Sequence, residues 1–307
     1  MNIKIRNTLL LFLTAAIWGV AFVAQDEGMD NVTPLTFNAI RFAIGALVLL
    51  PVIFIRDKAR PEPQKWSNKT LLKGGVLCGL ALCVASGLQQ FGISLSDESV
   101  GKAGFITAFY IVLVPIAGLV IGKKCSPLVS IAVVIAAVGL YLLCIPKGEI
   151  FSVAPPDALL FGCALLFTVQ ILLVDHYSPK TDGVKLACLE FATCSVIFSV
   201  LAVIFDAESF NISGVISAWI PLLYLGAFSC GVAYTLQIVA QNGLNPTFAS
   251  IVMSFESCIS VLAAWMIQGK VMSARQMIGC AVMFAAIILA QINLPTRHKS
   301  EKKLSKA

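Results

Sequence analysis

Ten stretches of this chain are apolar for long enough to cross a lipid bilayer, and few folds are compatible with that. They run approximately over residues 7–25, 33–55, 71–93, 99–121, 127–145, 156–175, 185–205, 216–239, 246–267 and 274–293. A span needs about 20 apolar residues to cover the ~30 Å hydrocarbon core. No water is available there, so each backbone N–H and C=O must be paired inside the protein, and a helix does this by itself. Only 12% of the residues are charged and 58% are hydrophobic, against about 25% charged in an ordinary soluble domain. The connections are short and leave no room between the spans for a soluble domain. The expected fold class is therefore an all-α membrane protein with ten transmembrane helices.

The basic residues orient it. Lys4 and Arg6 precede the first span; Arg56, Lys58, Arg60, Lys65, Lys69 and Lys73 fill the second loop. Lys123 and Lys124 lie in the fourth loop, Lys180 and Lys185 in the sixth, and Arg297, Lys299, Lys302, Lys303 and Lys306 in the tail. The odd-numbered loops hold only Lys102, Lys147, Lys270 and Arg275. Cytoplasmic loops carry the excess of Lys and Arg, so both termini are expected in the cytoplasm of a cell whose plasma (inner) membrane holds the protein. The basic tail then faces the inner leaflet, and the +6 net charge reflects topology, with no nucleic acid as partner. Met1–Arg6 followed by an apolar run resembles a signal peptide, but no small-residue cleavage site follows. A retained first helix is expected.

Sliding the second half over the first by 147 to 149 residues uncovers a repeat. Gly122-Lys123-Lys124-Cys125-Ser126 falls over Gly269-Lys270-Val271-Met272-Ser273, and Leu88-Gln89-Gln90 over Thr235-Leu236-Gln237. Cys83 meets Cys230, Arg41-Phe42-Ala43 meets Glu190-Phe191-Ala192, and Leu10-Leu11-Phe12 meets Leu159-Leu160-Phe161. Each copy, residues 1–149 and 150–307, holds five spans. An odd number of crossings turns the second copy upside down, giving the inverted repeats common in secondary transporters, whose solute site lies near the midplane.

At this point the sequence resembles the EamA-type members of the drug/metabolite transporter superfamily. The resemblance rests on Ala16-Ile17-Trp18-Gly19-Val20-Ala21-Phe22, on Gly104-Phe105-Ile106-Thr107 through Tyr110 to Pro115, and on Ser254-Phe255-Glu256-Ser257 leading to Gln268-Gly269. It implies a ten-helix carrier built from two EamA-type repeats, with a central cavity lined mainly by helices one, three, four, six, eight and nine. Members carry amino acids, other metabolites or drugs, many of them outward. Two departures stand out: Lys123 and Lys270 replace a Glu that often follows this Gly, and Ser257 replaces a frequent Pro.

Glu256 is the sharpest candidate for the site, because it lies about 15 Å into the ninth span, half of the hydrocarbon core. An ionisable group at that depth is costly and usually functional. Desolvation favours a neutral carboxylic acid, so a carboxylate dry in one state and wetted in another can load and release a proton; Glu256 is the proton-coupling candidate. A structural Glu bonded to neighbouring helices is the plainer reading. Cys230, Tyr234, Gln237 and Gln241 step by four, three and four along the eighth helix as one polar stripe. Cys83, Gly87, Gln90 and Ser94 repeat that spacing on the third, and such a stripe either lines a cavity or bonds helices together. Trp18 is mid-membrane, away from the interfacial aromatic belt, and the resemblance makes it a cavity wall; Tyr110 and Gln170 are treated alike. Arg41 and Glu190 are secondary candidates, since snorkelling toward the nearer membrane face accounts for both.

No P-loop, dinucleotide-binding or H-E-x-x-H motif is present, so no cofactor is expected and energy must come from gradients. The ten cysteines form no C-x-x-C and share no helical face with a His at ligand spacing; they read as packing residues, neither disulfides nor a metal site. The leading expectation is a secondary carrier of small polar metabolites, amino acids or related compounds, working outward by alternating access. An importer or exchanger of a vitamin, nucleobase or nucleotide-derived solute is the alternative among carriers. An intramembrane enzyme or a sensor belongs to another class, and Glu256 alone supplies neither a nucleophile with its base nor a metal cluster.

Overall fold

The computed structural model describes residues 3–30, 32–95, 100–123, 125–145, 154–269 and 271–292, and among these every regular element is helical. Lys124, Lys147, Lys270, His298 and the basic tail lie outside the described residues. The helices, labelled by span, are α1 (Ile3–Met29), α2 (Pro34–Lys58), α3 (Lys69–Ser94), α4 (Val100–Thr107 and Tyr110–Val120) and α5 (Pro127–Cys144). They continue with α6 (Pro155–Tyr177), α7 (Gly183–Phe205), α8 (Trp219–Gln241), α9 (Pro246–Met253 and Glu256–Gln268) and α10 (Ala274–Ile292). Among the described residues, nine are long and apolar enough to cross a membrane; α10, with its apolar stretch Ala274–Ala290, is the shorter one. The apolar runs mark all of them within four residues.

Local chemistry sets the ends. Pro34, Pro127, Pro155 and Pro246 occupy first helical turns, where a missing N–H costs nothing. Asn68, Asp182 and Asn245 cap α3, α7 and α9 by accepting backbone N–H groups, as N-cap side chains do. The α9 helix stops at Gly269, whose φ of 69° is left-handed and suits glycine. Leu47, Phe54, Val120, Val203 and Met266 are exposed on the outer faces; next to lipid, such side chains need no protein cover.

Two spans are not continuous. In α4 the N–H groups of Phe109 and Ile111 bond the carbonyls of Ile106 and Ala108, at 3.2 and 3.0 Å; in α9 those of Phe255 and Ser257 bond Val252 and Ser254, both at 3.2 Å. These are three-residue steps, the 3₁₀ tightening that marks strain or a hinge in a longer helix. They occur at positions 146 residues apart. A third irregularity is a π-helical stretch, Tyr224–Tyr234, within α8.

Pairs of long helices build the bundle: α5 lies along α10, α2 along α7, and α3 along both α6 and α7, while α1 crosses the second piece of α9 and α8 crosses α2. A Cβ added to Gly79 of α3 would sit 2.9 Å from the carbonyl oxygen of Glu190 on α7; one added to Gly226 of α8 would sit 3.0 Å from that of Arg41 on α2. Both crossings bring a glycine close to a backbone carbonyl of the facing helix, the small-residue packing that membranes favour.

Charges tie each end of the bundle. At the end holding the start of α1, Asp182 pairs with Arg56 (3.5 Å) and Arg60, Lys185 with Asp57 (2.6 Å), and Lys123 with Asp175. Burial pushes the Asp182 carboxyl up, but the Lys185 N–H and both arginines outweigh it and hold the group below the usual carboxylate range. At the opposite end Asp206 accepts from Thr33 and from the N–H and hydroxyl of Thr36, both at 3.1 Å, closing the start of α2 against the end of α7.

Candidate functional site

The tightened turns of α4 and α9 face each other in the middle of the bundle. Tyr110 opens the second piece of α4, Glu256 opens the second piece of α9, and the Tyr110 hydroxyl donates to Glu256 Oε1 at 3.0 Å. Both side chains are buried. Beside them the rings of Trp18 (α1) and Tyr234 (α8) stand 4.6 Å apart at 59°. Trp18, Tyr110, Tyr234 and Glu256 line one cavity together with Gln170, Gln237 and Arg41. Its volume is about 40 Å³, room for on the order of three waters. A metabolite enters only if the helices part.

Two polar clusters flank this centre. Toward the α1–α2 turn, Arg41 Nη1 donates to Gln25 Oε1 at 3.1 Å, and Gln90 Nε2 reaches the Gln25 carbonyl at 3.5 Å. Toward the other end, Gln237 Nε2 donates to Gln170 Oε1 at 3.1 Å, and Gln170 Nε2 donates to Glu190 Oε1 at 2.9 Å. Each cluster joins a charged residue of α2 or α7 to glutamines of α1 and α3 or of α6 and α8. The charges are opposite. Trp18 Nε1, Arg41 Nε, Thr107 Oγ1 and Gln237 Oε1 are buried cavity groups with no hydrogen-bond partner. Buried polar atoms are seldom left so, and four around one cavity mark a place for water or solute.

Several expectations change. Gln90 is buried against α1, and its neighbour Gln89 reaches the cavity instead. The eighth-helix stripe divides, because π-helical turns hold more residues than α-helical ones. Ser229, five residues before Tyr234, therefore lines the cavity, while Cys230 lies against Gly45 of α2 and Gln241 is buried elsewhere. Gly87 faces Phe198 of α7, not the cavity. Snorkelling does not describe Arg41, 4% exposed, or Glu190, 0% exposed: both turn inward to glutamines. Glu190 stands behind Gln170 and does not line the cavity itself. Gln25 and Phe167 also line it and carried no mark in the sequence as site residues; Thr107, part of the motif that carries the resemblance, and Met253, one helical turn before Glu256, line it too. The cysteines are unpaired thiols, most of them buried; among the described residues no cluster of metal-ligating side chains occurs.

Fold and site together define a multi-span membrane protein with a polar chamber at the centre of an apolar helix bundle. The EamA-like transporter family model matches residues 6–145 and 155–291, and the chain belongs to that family. An uncharacterized transporter of Archaeoglobus fulgidus is 27% identical over 285 residues, covering 92% of this chain and 85% of the relative. The uncharacterized transporter YoaV of Bacillus subtilis is 23% identical over 257 residues, covering 81% of this chain and 84% of its own. A solved crystal structure superposes with a TM-score of 0.73 over 94% of this chain and 96% of that one; at 18% identity the likeness is one of fold. The protein is thus a membrane transporter of this family, with a small-molecule solute and the bilayer as its partners.

Proposed function

We propose that the protein is a secondary carrier that moves small polar metabolites, amino acids or related compounds, out across the plasma (inner) membrane by alternating access. Residues 1–149 and 150–307 act as two inverted five-helix repeats, both termini are cytoplasmic, and Glu256 carries the coupling proton. The chain transports and catalyses no chemical step. The observation that carries this reading is the Tyr110–Glu256 contact. It joins the hinge-like turns of two counterpart helices at mid-depth, where a rocking of one half against the other changes the exposure of whatever lies between them. The ion pairs at the basic end and the Asp206 cluster at the other are suited to serve as the two gates, one breaking as the other forms.

Orientation is tested by cysteine labelling. In a background without native cysteines, Lys65→Cys in intact cells should resist a membrane-impermeant thiol reagent, while a cysteine at Asp206 should react. External labelling at residue 65 would reverse the orientation. Direction and solute class are tested by comparing metabolites released from cells with and without the protein. A polar metabolite that rises in the medium only with the protein is the expected result; depletion from the medium points to import.

A further inference from the structure

Among the described residues, Arg41 is the one cavity-lining residue with a fixed positive charge; Glu256 lines the same cavity but is bonded by Tyr110, and the guanidinium itself donates only to Gln25. A guanidinium remains a cation in proteins, and inside a membrane such a group normally pairs with an anion. Arg56, Arg60, Lys123 and Lys185 each meet an aspartate. Arg41 meets the neutral Gln25 oxygen and lies over the Phe42 ring at 4.9 Å; among the described residues no carboxylate pairs with it. Its Nε–H has no acceptor, and neither does the Trp18 Nε1–H on the same cavity. At this end of the chamber, donors and positive charge are in surplus.

The geometry points to Arg41 as the anchor for a carboxylate on the transported solute. This rests on the carrier reading and narrows it: the solute bears an anionic head that enters toward the α1–α2 turn. A carboxylate brings one negative charge and only acceptor oxygens, which is what the cluster lacks. The guanidinium fork matches it in two parallel hydrogen bonds, and a single cation suits a monoanion better than a phosphate dianion. Gln25, bonded to Nη1, positions the fork and leaves Nε free for the solute.

The test pairs acids with their amides. Purified wild-type protein is titrated with L-amino acids and their carboxamides, and with short carboxylic acids and theirs, following melting temperature and binding. At least one acid should bind, with its amide weaker by on the order of 30-fold, the value of a charge-assisted hydrogen bond lost. Arg41→Gln should erase the preference for acid, and Arg41→Lys should keep part of it. Equal binding of acid and amide by the wild type, failure of every acid to bind, or an unchanged preference in Arg41→Gln overturns the assignment. If Arg41→Gln does not fold, the wild-type comparison decides alone. The same probes are then followed into liposomes holding the wild-type protein. Movement of amides or amines alone overturns the carboxylate assignment and leaves the carrier reading standing; no protein-dependent movement of any probe overturns both.

Discussion

Glu256→Gln is expected to fold, bind solute and exchange it across the membrane, while losing pH-driven accumulation entirely. The substitution keeps the shape of the protonated acid, and its side-chain oxygen can still accept the Tyr110 hydroxyl that now lies 3.0 Å from Oε1. What disappears is the exchangeable proton. A gradient of one pH unit is worth about 1.4 kcal/mol per proton, tenfold in accumulation, and the variant should show none of it. Two other roles leave different signatures. If Glu256 meets an ammonium group of the solute, Gln weakens binding itself and every mode of transport falls together. A structural Glu leaves wild-type kinetics and a lower melting temperature. Counterflow, pH-driven flux and thermal melting on the one variant separate the three, and full pH-driven transport in Glu256→Gln ends the proton-carrier role.

Gly19→Ala should damage the protein although it adds a single methyl group. At Gly19 a Cβ would lie 2.4 Å from Ile259 Cβ and 2.7 Å from the Glu256 carbonyl oxygen, so α1 would have to move away from α9 beside Glu256. Alanine favours a helix by about 1 kcal/mol over glycine in water, which makes any loss of stability a measure of the clash. Overpacking of this kind costs about 1–3 kcal/mol. The expected result is a lower melting temperature together with slowed exchange of solute. Unchanged melting and wild-type flux would show that the α1–α9 contact is looser than described.

The spans were legible because the bilayer imposes a length and an apolar composition that a sequence cannot disguise. Much of the chamber was legible for a related reason: a carboxylate, an indole or an amide is conspicuous in an apolar run, and Trp18, Tyr110, Gln170, Tyr234, Gln237 and Glu256 all meet at one cavity. What depth alone does not give is direction around the helix. Arg41 and Glu190 read as snorkelling side chains because each lies within reach of a membrane face, yet both turn inward. Ser229 was hidden because the spacing rule assumed α-helical turns through a stretch that is π-helical. Gln25 is the last residue of the first apolar run, while the helix continues to Met29, so its place at the chamber was not apparent from the run's end. The Tyr110–Glu256 contact joins residues 146 positions apart, and only packing of the two halves brings them together.

The most direct measurement is solute uptake by purified wild-type protein in liposomes, with an imposed pH gradient and no ATP. Accumulation above the equilibrium level that collapses on adding a protonophore is the predicted result. Flux that needs ATP, accumulation indifferent to the gradient, or no protein-dependent uptake of any polar metabolite would contradict a proton-coupled carrier working through the Glu256 chamber.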